Sequence, residues 1–299
     1  MNYIDYLIYR FAYFLGFCLP IRICYFISRR ISEFRYYTAF VWRKSVKKNI
    51  TENLRIVLQY KSEKEGKPFT IRDLRKIVKQ NYYHFAQYMT DFLSMPKNRR
   101  YFFKKLRVIG IENVEKALTY KKGVIILTAH LGNWELAGAM STSLGFPLSA
   151  IALPYKSKNI ANFFTEIRKK TGINVIKTGT GPKEILKALR KNEIVAVLGD
   201  RVFTEKGTKI DFMGKTAILP RGPATLAVKT GAKYVAGFLF YNRDSYTLLF
   251  QNLNEPSFNI SDVEKINFYL DETKKILEKY ILQYTYQWLN FSNTWNTEN

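Results

Sequence analysis

Histidine and cysteine are both scarce in this 299-residue sequence: two histidines, His84 and His130, and two cysteines, Cys18 and Cys24. Cysteines six apart in one apolar stretch provide neither a disulfide framework nor a metal quartet, so a reducing compartment is the expectation. With so few soft donors no His/Cys zinc site of ordinary spacing can be assembled, and no metal is expected. Acid is scarce too: 24 Asp+Glu face 48 Lys+Arg, a formal net charge of +24. A long uninterrupted apolar run is also missing. Residues 11–27 number 17, about 25 Å as a helix against a hydrocarbon core of about 30 Å, and they include Pro20 and Arg22. An arginine at mid-bilayer costs roughly 2.5–3.5 kcal/mol. The stretch therefore reads as two interfacial or partly inserted helices hinged at Pro20 in preference to a clean span. If it spans, the basic flank after it places the following chain in the cytosol. A signal peptide fits poorly, since Arg29-Arg30 follows instead of a small-residue cleavage site.

What is present is a large apolar fraction, 47%, with 16% aromatic residues, which excludes a disordered basic tail and suffices for a packed core. The positive charge calls for an anionic partner: nucleic acid, an anionic membrane or a phosphorylated substrate. Nine basic residues between Arg10 and Lys48 are opposed only by Glu33, and a second cluster runs from Lys97 to Arg107. Both adjoin aromatic, apolar sequence, the pattern of a membrane surface. No zinc-finger spacing, aromatic RNA-binding signature or recognition helix favours nucleic acid.

Residues 1–100 read as helical. Leu74, Val78, Tyr82, Phe85, Met89 and Phe92 recur at three- and four-residue spacing, one apolar stripe that can pack in a core or wall a lipid site. His84 lies in this helix and reads as structural. From residue 106, short β-branched runs (106–109, 124–128, 148–152, 174–176, 194–198, 234–240, 246–250) alternate with helical stretches (112–120, 133–144, 159–171, 182–191, 222–231, 262–285). This predicts an α/β fold: a mostly parallel central sheet flanked by helices, its last two strands a hairpin, with an N-terminal membrane-associated helical region. The division expected is 1–100 helical and membrane-associating, and 101–299 α/β.

Ligands of such sheets bind outside the carboxyl ends of the strands. His130 stands there, just beyond Val124-Ile-Ile-Leu-Thr128, with Gly132 for a tight turn and Asn133 as a helix cap. Glu135, in the first helical turn, is close enough in sequence to bond one ring nitrogen while the other accepts a proton. The same turn presents backbone N–H groups for an oxyanion. Asp200, two residues past 194–198, is the second carboxylate that could face His130, or it could pair with Arg201 or Arg221 to hold its loop. Glu135 is the favoured partner. Arg168, Arg201 and Arg221 are candidates for binding phosphate, because a guanidinium fork matches its oxygens. Met213-Gly-Lys-Thr216 is not a phosphate-binding loop, since Lys209 stands where its first glycine belongs. Thr178-Gly-Thr-Gly-Pro182 reads as a turn.

Taken in order, these residues resemble a known family. Ala129-His-Leu-Gly-Asn-Trp-Glu-Leu-Ala137 is similar to the first block of the lipid A late acyltransferases, the lauroyl/myristoyl branch of the lysophospholipid acyltransferase superfamily. Tyr155-Lys156 with residues 162–168 and Gly172 resembles the second block, and Leu198-Gly-Asp-Arg201 the third. Phe212-x-Gly214 followed by Pro220-Arg-Gly-Pro-Ala224 resembles the fourth, and Gln287-Trp288 the terminal motif. The likeness spans roughly 105–290. It implies direct transfer of a fatty acyl chain from an acyl-carrier-protein or coenzyme A thioester to a hydroxyl of a lipid A precursor, at the cytoplasmic face of the inner membrane, with no cofactor. His130 would be the base, with Glu135 or Asp200 orienting it. Asn133, Lys156, Arg168, Arg201, Arg221 and Gly222 would bind substrate. Other acceptors, another glycolipid such as a mannosylated phosphoinositide or an aminolipid, stay open.

Overall fold

The computed structural model describes residues 3–42, 44–152, 155, 157–177, 181–202 and 207–295. Four helices come first: α1 (Tyr3–Cys18), α2 (Ile21–Trp42), α3 (Lys44–Glu65) and α4 (Ile71–Lys104). The chain continues β1 (Leu106–Ile109), α5 (Ile111–Thr119), β2 (Val124–Thr128), α6 (Trp134–Ser143), β3 (Leu148–Ala152), α7 (Lys158–Lys170), β4 (Asn174–Lys177), α8 (Gly181–Arg190) and β5 (Ile194–Leu198). It ends with β6 (Gly207–Phe212), β7 (Lys215–Pro220), α9 (Gly222–Thr230), β8 (Lys233–Asn242), β9 (Ser245–Asn252) and α10 (Asp262–Gln283).

The break between α1 and α2 falls at Leu19-Pro20, where the proline ring interrupts the helical ladder. Among the described residues no helix is long and apolar enough to cross a membrane. α1 turns Tyr6, Tyr9 and Tyr13 onto Phe163 and Phe164 of α7 and leaves Ile4, Leu7, Ile8, Phe11 and Phe14 exposed. α4 starts at a capping box, Thr70 and Asp73 satisfying each other's backbone N–H groups. Its apolar stripe serves two ends: Leu74 and Val78 pack against α3 residues Ile50 and Leu54, and Phe92 enters the core beside the sheet.

The main sheet has the order β1-β9-β8-β2-β5-β3-β4. β8, β2, β5, β3 and β4 are parallel; the β8–β9 hairpin reverses direction and β1 follows β9. β2 is buried along its whole length, because α6 lies on one face and α8 to α10 on the other, which accounts for a continuous rather than alternating apolar run. One element is missing from the strands expected of the sequence. Residues 207–220, which contain Met213-Gly-Lys-Thr216, form the antiparallel β6–β7 hairpin, with Met213 (φ 54°) and Gly214 (φ 72°) in its turn. Two left-handed residues at the tip are what a tight hairpin of this twist demands.

Candidate active site

β2 and β5 are parallel neighbours in register, Thr128 opposite Leu198. Their carboxyl ends coincide, so the residues two positions beyond each end meet. His130 Nδ1 lies 2.9 Å from Asp200 Oδ1, and the His130 backbone N–H donates to Asp200 Oδ2 at 3.1 Å. Trp288 Nε1–H donates to the same Oδ2 at 2.9 Å. Burial alone would push the Asp200 pKa up, but the imidazole and these hydrogen bonds hold it below its ordinary value. A carboxylate only accepts, so the neutral ring carries its proton on Nδ1 and leaves Nε2 basic. The edge of Trp134 packs on the ring, 4.9 Å between centroids.

The loop is fixed by its backbone. Gly132 N–H donates to Gln287 O at 3.0 Å, Asn133 N–H to Leu239 O at 2.8 Å, and Leu289 N–H to His130 O at 2.6 Å. Gln287 completes the clamp by bonding both backbone groups of Tyr241. Gly132 adopts φ 66°, and a Cβ there would stand 2.0 Å from Leu239 O. Gly132→Ala should therefore cost well over 1 kcal/mol, seen as a lower melting temperature by calorimetry together with lost activity. His84 is structural, as its position implied: its Nε2 donates to Gly132 O at 3.1 Å. Burial pushes its pKa down to about 4. The unfolded chain thus binds this proton more readily, and the stability His84 contributes is lost as pH falls from about 6.5 toward 4. Asp91 has the opposite sign. Burial lifts it to about 7 against hydrogen bonds from Tyr25, Tyr246 and Asn133, so its contribution is lost as pH rises through about 7.

Several expected roles must be corrected. Glu135 does not reach His130. α6 begins at Trp134, and this turns Glu135 toward α7, where Arg168 Nε and Nη2 bind its two oxygens at 2.9 and 2.5 Å. Both side chains are buried. Burial alone would lower the Arg168 pKa, and the Glu135 carboxylate more than reverses this. Arg168 is thereby committed to an internal ion pair. Asn133 is a buried cap, its Oδ1 accepting Leu136 N–H and its Nδ2 donating to Asp91. The Gly132 and Asn133 amides expected for an oxyanion are spent on the backbone. Arg221 and Gly222 begin α9 and do not line the cavity below His130, whereas Arg201 does. Lys156 lies outside the described residues, as do residues 178–180.

That cavity, about 560 Å³, runs from His130, Trp134 and Arg201 inward between the sheet and its covering helices. Ile126, Ala196 and Gly237 of the sheet, Gly138 of α6, and Phe85 and Met89 of α4 are among its walls. Small side chains on adjacent strands leave the space open. Thr128 lines it too, and its buried hydroxyl finds no hydrogen-bond partner among the described residues. Sequence reasoning missed Thr128, Asp91 and the roles of Gln287 and Trp288; only the last two carried a signal, as a motif without a geometry. Among the described residues no group of three His, Cys, Asp or Glu side chains could hold a metal ion.

Fold and site define a class: an α/β protein with a histidine–aspartate pair at the carboxyl edge of its sheet, above an apolar cavity. The family model described as "Bacterial lipid A biosynthesis acyltransferase" matches residues 1–297, and the chain belongs to that family. It is 31% identical over 155 residues to the phosphatidylinositol mannoside acyltransferase of Mycobacterium tuberculosis (strain ATCC 25618 / H37Rv), covering 50% of this chain and 49% of the relative. It is 28% identical over 167 residues to the protein of that name from Mycolicibacterium smegmatis (54% and 55%). Against a Haemophilus influenzae lipid A biosynthesis acyltransferase it is 24% identical over 167 residues (56% and 52%). The chain thus spans about half the length of these curated relatives.

Proposed function

We propose that this protein moves a fatty acyl chain from an acyl-carrier-protein or coenzyme A thioester to a hydroxyl of a glycolipid, a lipid A precursor in the first instance. The observation that carries the reading is the His130–Asp200 pair at the mouth of an apolar cavity of about 560 Å³. Each buried methylene contributes about 0.8 kcal/mol, so a hydrocarbon chain is the ligand such walls favour. His130 Nε2 takes the proton of the acceptor hydroxyl as its oxygen attacks the thioester carbonyl. The tetrahedral adduct collapses to the ester, the C–S bond breaks, and the imidazolium returns its proton to the leaving sulfur. Asp200 holds the ring and offsets its positive charge. Neither Cys18 nor Cys24 lines the cavity, which supports direct transfer without an acyl-enzyme.

Charge on the thioester oxygen needs donors other than the committed Gly132 and Asn133 amides. Thr128 and Arg201 stand in the right wall. An orphaned hydroxyl in an apolar cavity costs about 1–3 kcal/mol unless a polar group of the substrate meets it. Thr128→Val should therefore leave the melting temperature equal or higher while kcat falls about tenfold, with Thr128→Ser restoring it. A Val variant of unchanged kcat would remove Thr128 from the mechanism.

The exposed apolar faces of α1 and α2, interleaved with arginine, support docking on an anionic membrane at the cytoplasmic face of the inner membrane. Each near-surface cation would contribute about 1 kcal/mol. The greater identity to the mannoside acyltransferases favours a mannosylated phosphoinositide as second choice of acceptor. The deciding experiment crosses acyl-carrier-protein and coenzyme A donors with a phosphorylated lipid A precursor, a mannosylated phosphoinositide and a lysophospholipid, reading products by mass spectrometry. Acylation of a glycolipid is expected; acylation of the lysophospholipid alone would overturn the reading.

A further inference from the structure

A second cavity, of about 430 Å³, lies where α2, the end of α4 and the β8–β9 turn meet. It shares no residue with the cavity below His130. Its lining is polar, with more positive than negative charge: Arg22 from α2, Lys105 just after α4, and the phenols of Tyr101 and Tyr241, with Asp244 as the opposing charge. No described acid pairs with Arg22 or Lys105, and the Lys105 ammonium rests on the Tyr101 ring, 4.8 Å from its centroid. Phe26, one turn on from Arg22, and Phe103, two residues before Lys105, are exposed. Two cations without an acid partner among the described residues, and phenol hydroxyls around a hollow of this size, match a phosphate, whose oxygens suit the arginine fork and the lysine point charge. Exposed aromatic rings on the same two elements suit the glycerol and upper chains of a lipid.

The rear wall leads to the other site. Tyr25 and Tyr246 line this cavity and donate to buried Asp91 at 2.5 and 3.0 Å. Asp91 in turn accepts from Asn133 Nδ2 at 3.1 Å, and Asn133 caps α6 three residues after His130. Whatever holds the two tyrosines also steadies the start of α6.

We propose that this cavity is a phosphate-ester site, filled by a membrane-lipid headgroup or a free phosphate ester, and that occupancy stiffens the first turn of α6 through Tyr25, Asp91 and Asn133. The test is calorimetric titration of the full chain with inorganic phosphate and with dihexanoylphosphatidylglycerol below its micelle threshold. The double variant Arg22→Gln/Lys105→Gln should bind at least tenfold more weakly, and Asp244→Asn several-fold more tightly, since it removes the acid in the described lining. Tighter binding of the short-chain lipid than of inorganic phosphate identifies a headgroup; equal binding identifies a free ester. Amide exchange at residues 134–137 should slow on binding, and Tyr25→Phe should abolish that slowing while binding persists. Two outcomes overturn the proposal: neither probe binds, or binding ignores the Arg22/Lys105 substitutions. None of these measurements depends on acyl transfer, so they stand apart from the reading of the His130 site.

Discussion

Replacing His130 by Gln should abolish measurable transfer, a loss of about 10²–10⁴ in kcat, while the melting temperature stays close to that of the parent. The side chain is 14% exposed, and the loop is pinned by backbone bonds that the substitution leaves alone. A glutamine amide can still donate to Asp200, so the buried carboxylate keeps a partner. Asp200→Asn should be nearly as damaging by a different route. Its single amide oxygen would have to accept from Trp288 Nε1 and the His130 backbone N–H. That turns the amide N–H₂ toward Nδ1, drives the ring proton onto Nε2, and removes the basic lone pair from the substrate side. Steady-state kinetics beside thermal melts test both variants. Robust turnover in a folded His130→Gln protein would end the catalytic assignment.

The alternation of β-branched and helical stretches located seven strands and the helices between them, since period-2 and period-3.6 patterns are local properties of the chain. The β6–β7 hairpin escaped because its residues include Gly207, Lys209, Asp211 and Lys215, too polar to read as strands. They form a ribbon held from outside, Met213 N–H donating to Glu278 of α10. At the site, the position of His130 was legible, because any residue just past a parallel strand sits at the carboxyl edge. Its partner was not. Two strands and three helices separate β2 from β5 in sequence, and their adjacency is a matter of strand order, which composition and spacing do not encode. Glu135 looked nearer only because five residues is a short distance along the chain. The arginines posed the same difficulty: whether Arg168 is free for a phosphate depends on a carboxylate 33 residues away. Their sum, the net charge of +24, says nothing about which cations are already paired.

Glu135 and Arg168 give the sharpest contrast between the two ways of reading the site. If Glu135 oriented the imidazole, its loss would be a kinetic defect in a stable protein. Paired with Arg168 at 2.5 Å, both side chains at most 8% exposed, it predicts the reverse. Arg168→Met alone strands a buried carboxylate, and Glu135→Gln alone strands a buried guanidinium. Removing one partner of such a pair costs about 3–5 kcal/mol, a drop of roughly 5–8 °C in melting temperature for a chain of 299 residues. The double variant Glu135→Gln/Arg168→Met buries neither charge, and replacing both members of a buried pair is often neutral. It should recover most of the lost stability, because the Met thioether fills the space of the arginine stem against Phe92, over whose ring the guanidinium now lies at 5.7 Å. With His130 and Asp200 untouched, the double variant should also retain transfer within about tenfold of the parent, the scale of a few displaced wall contacts. A stable double variant devoid of activity would return Glu135 to the reaction itself. A cycle of four melts and four rates separates the two roles, since the coupling energy appears in the stability if the pair is structural and in kcat if it is not.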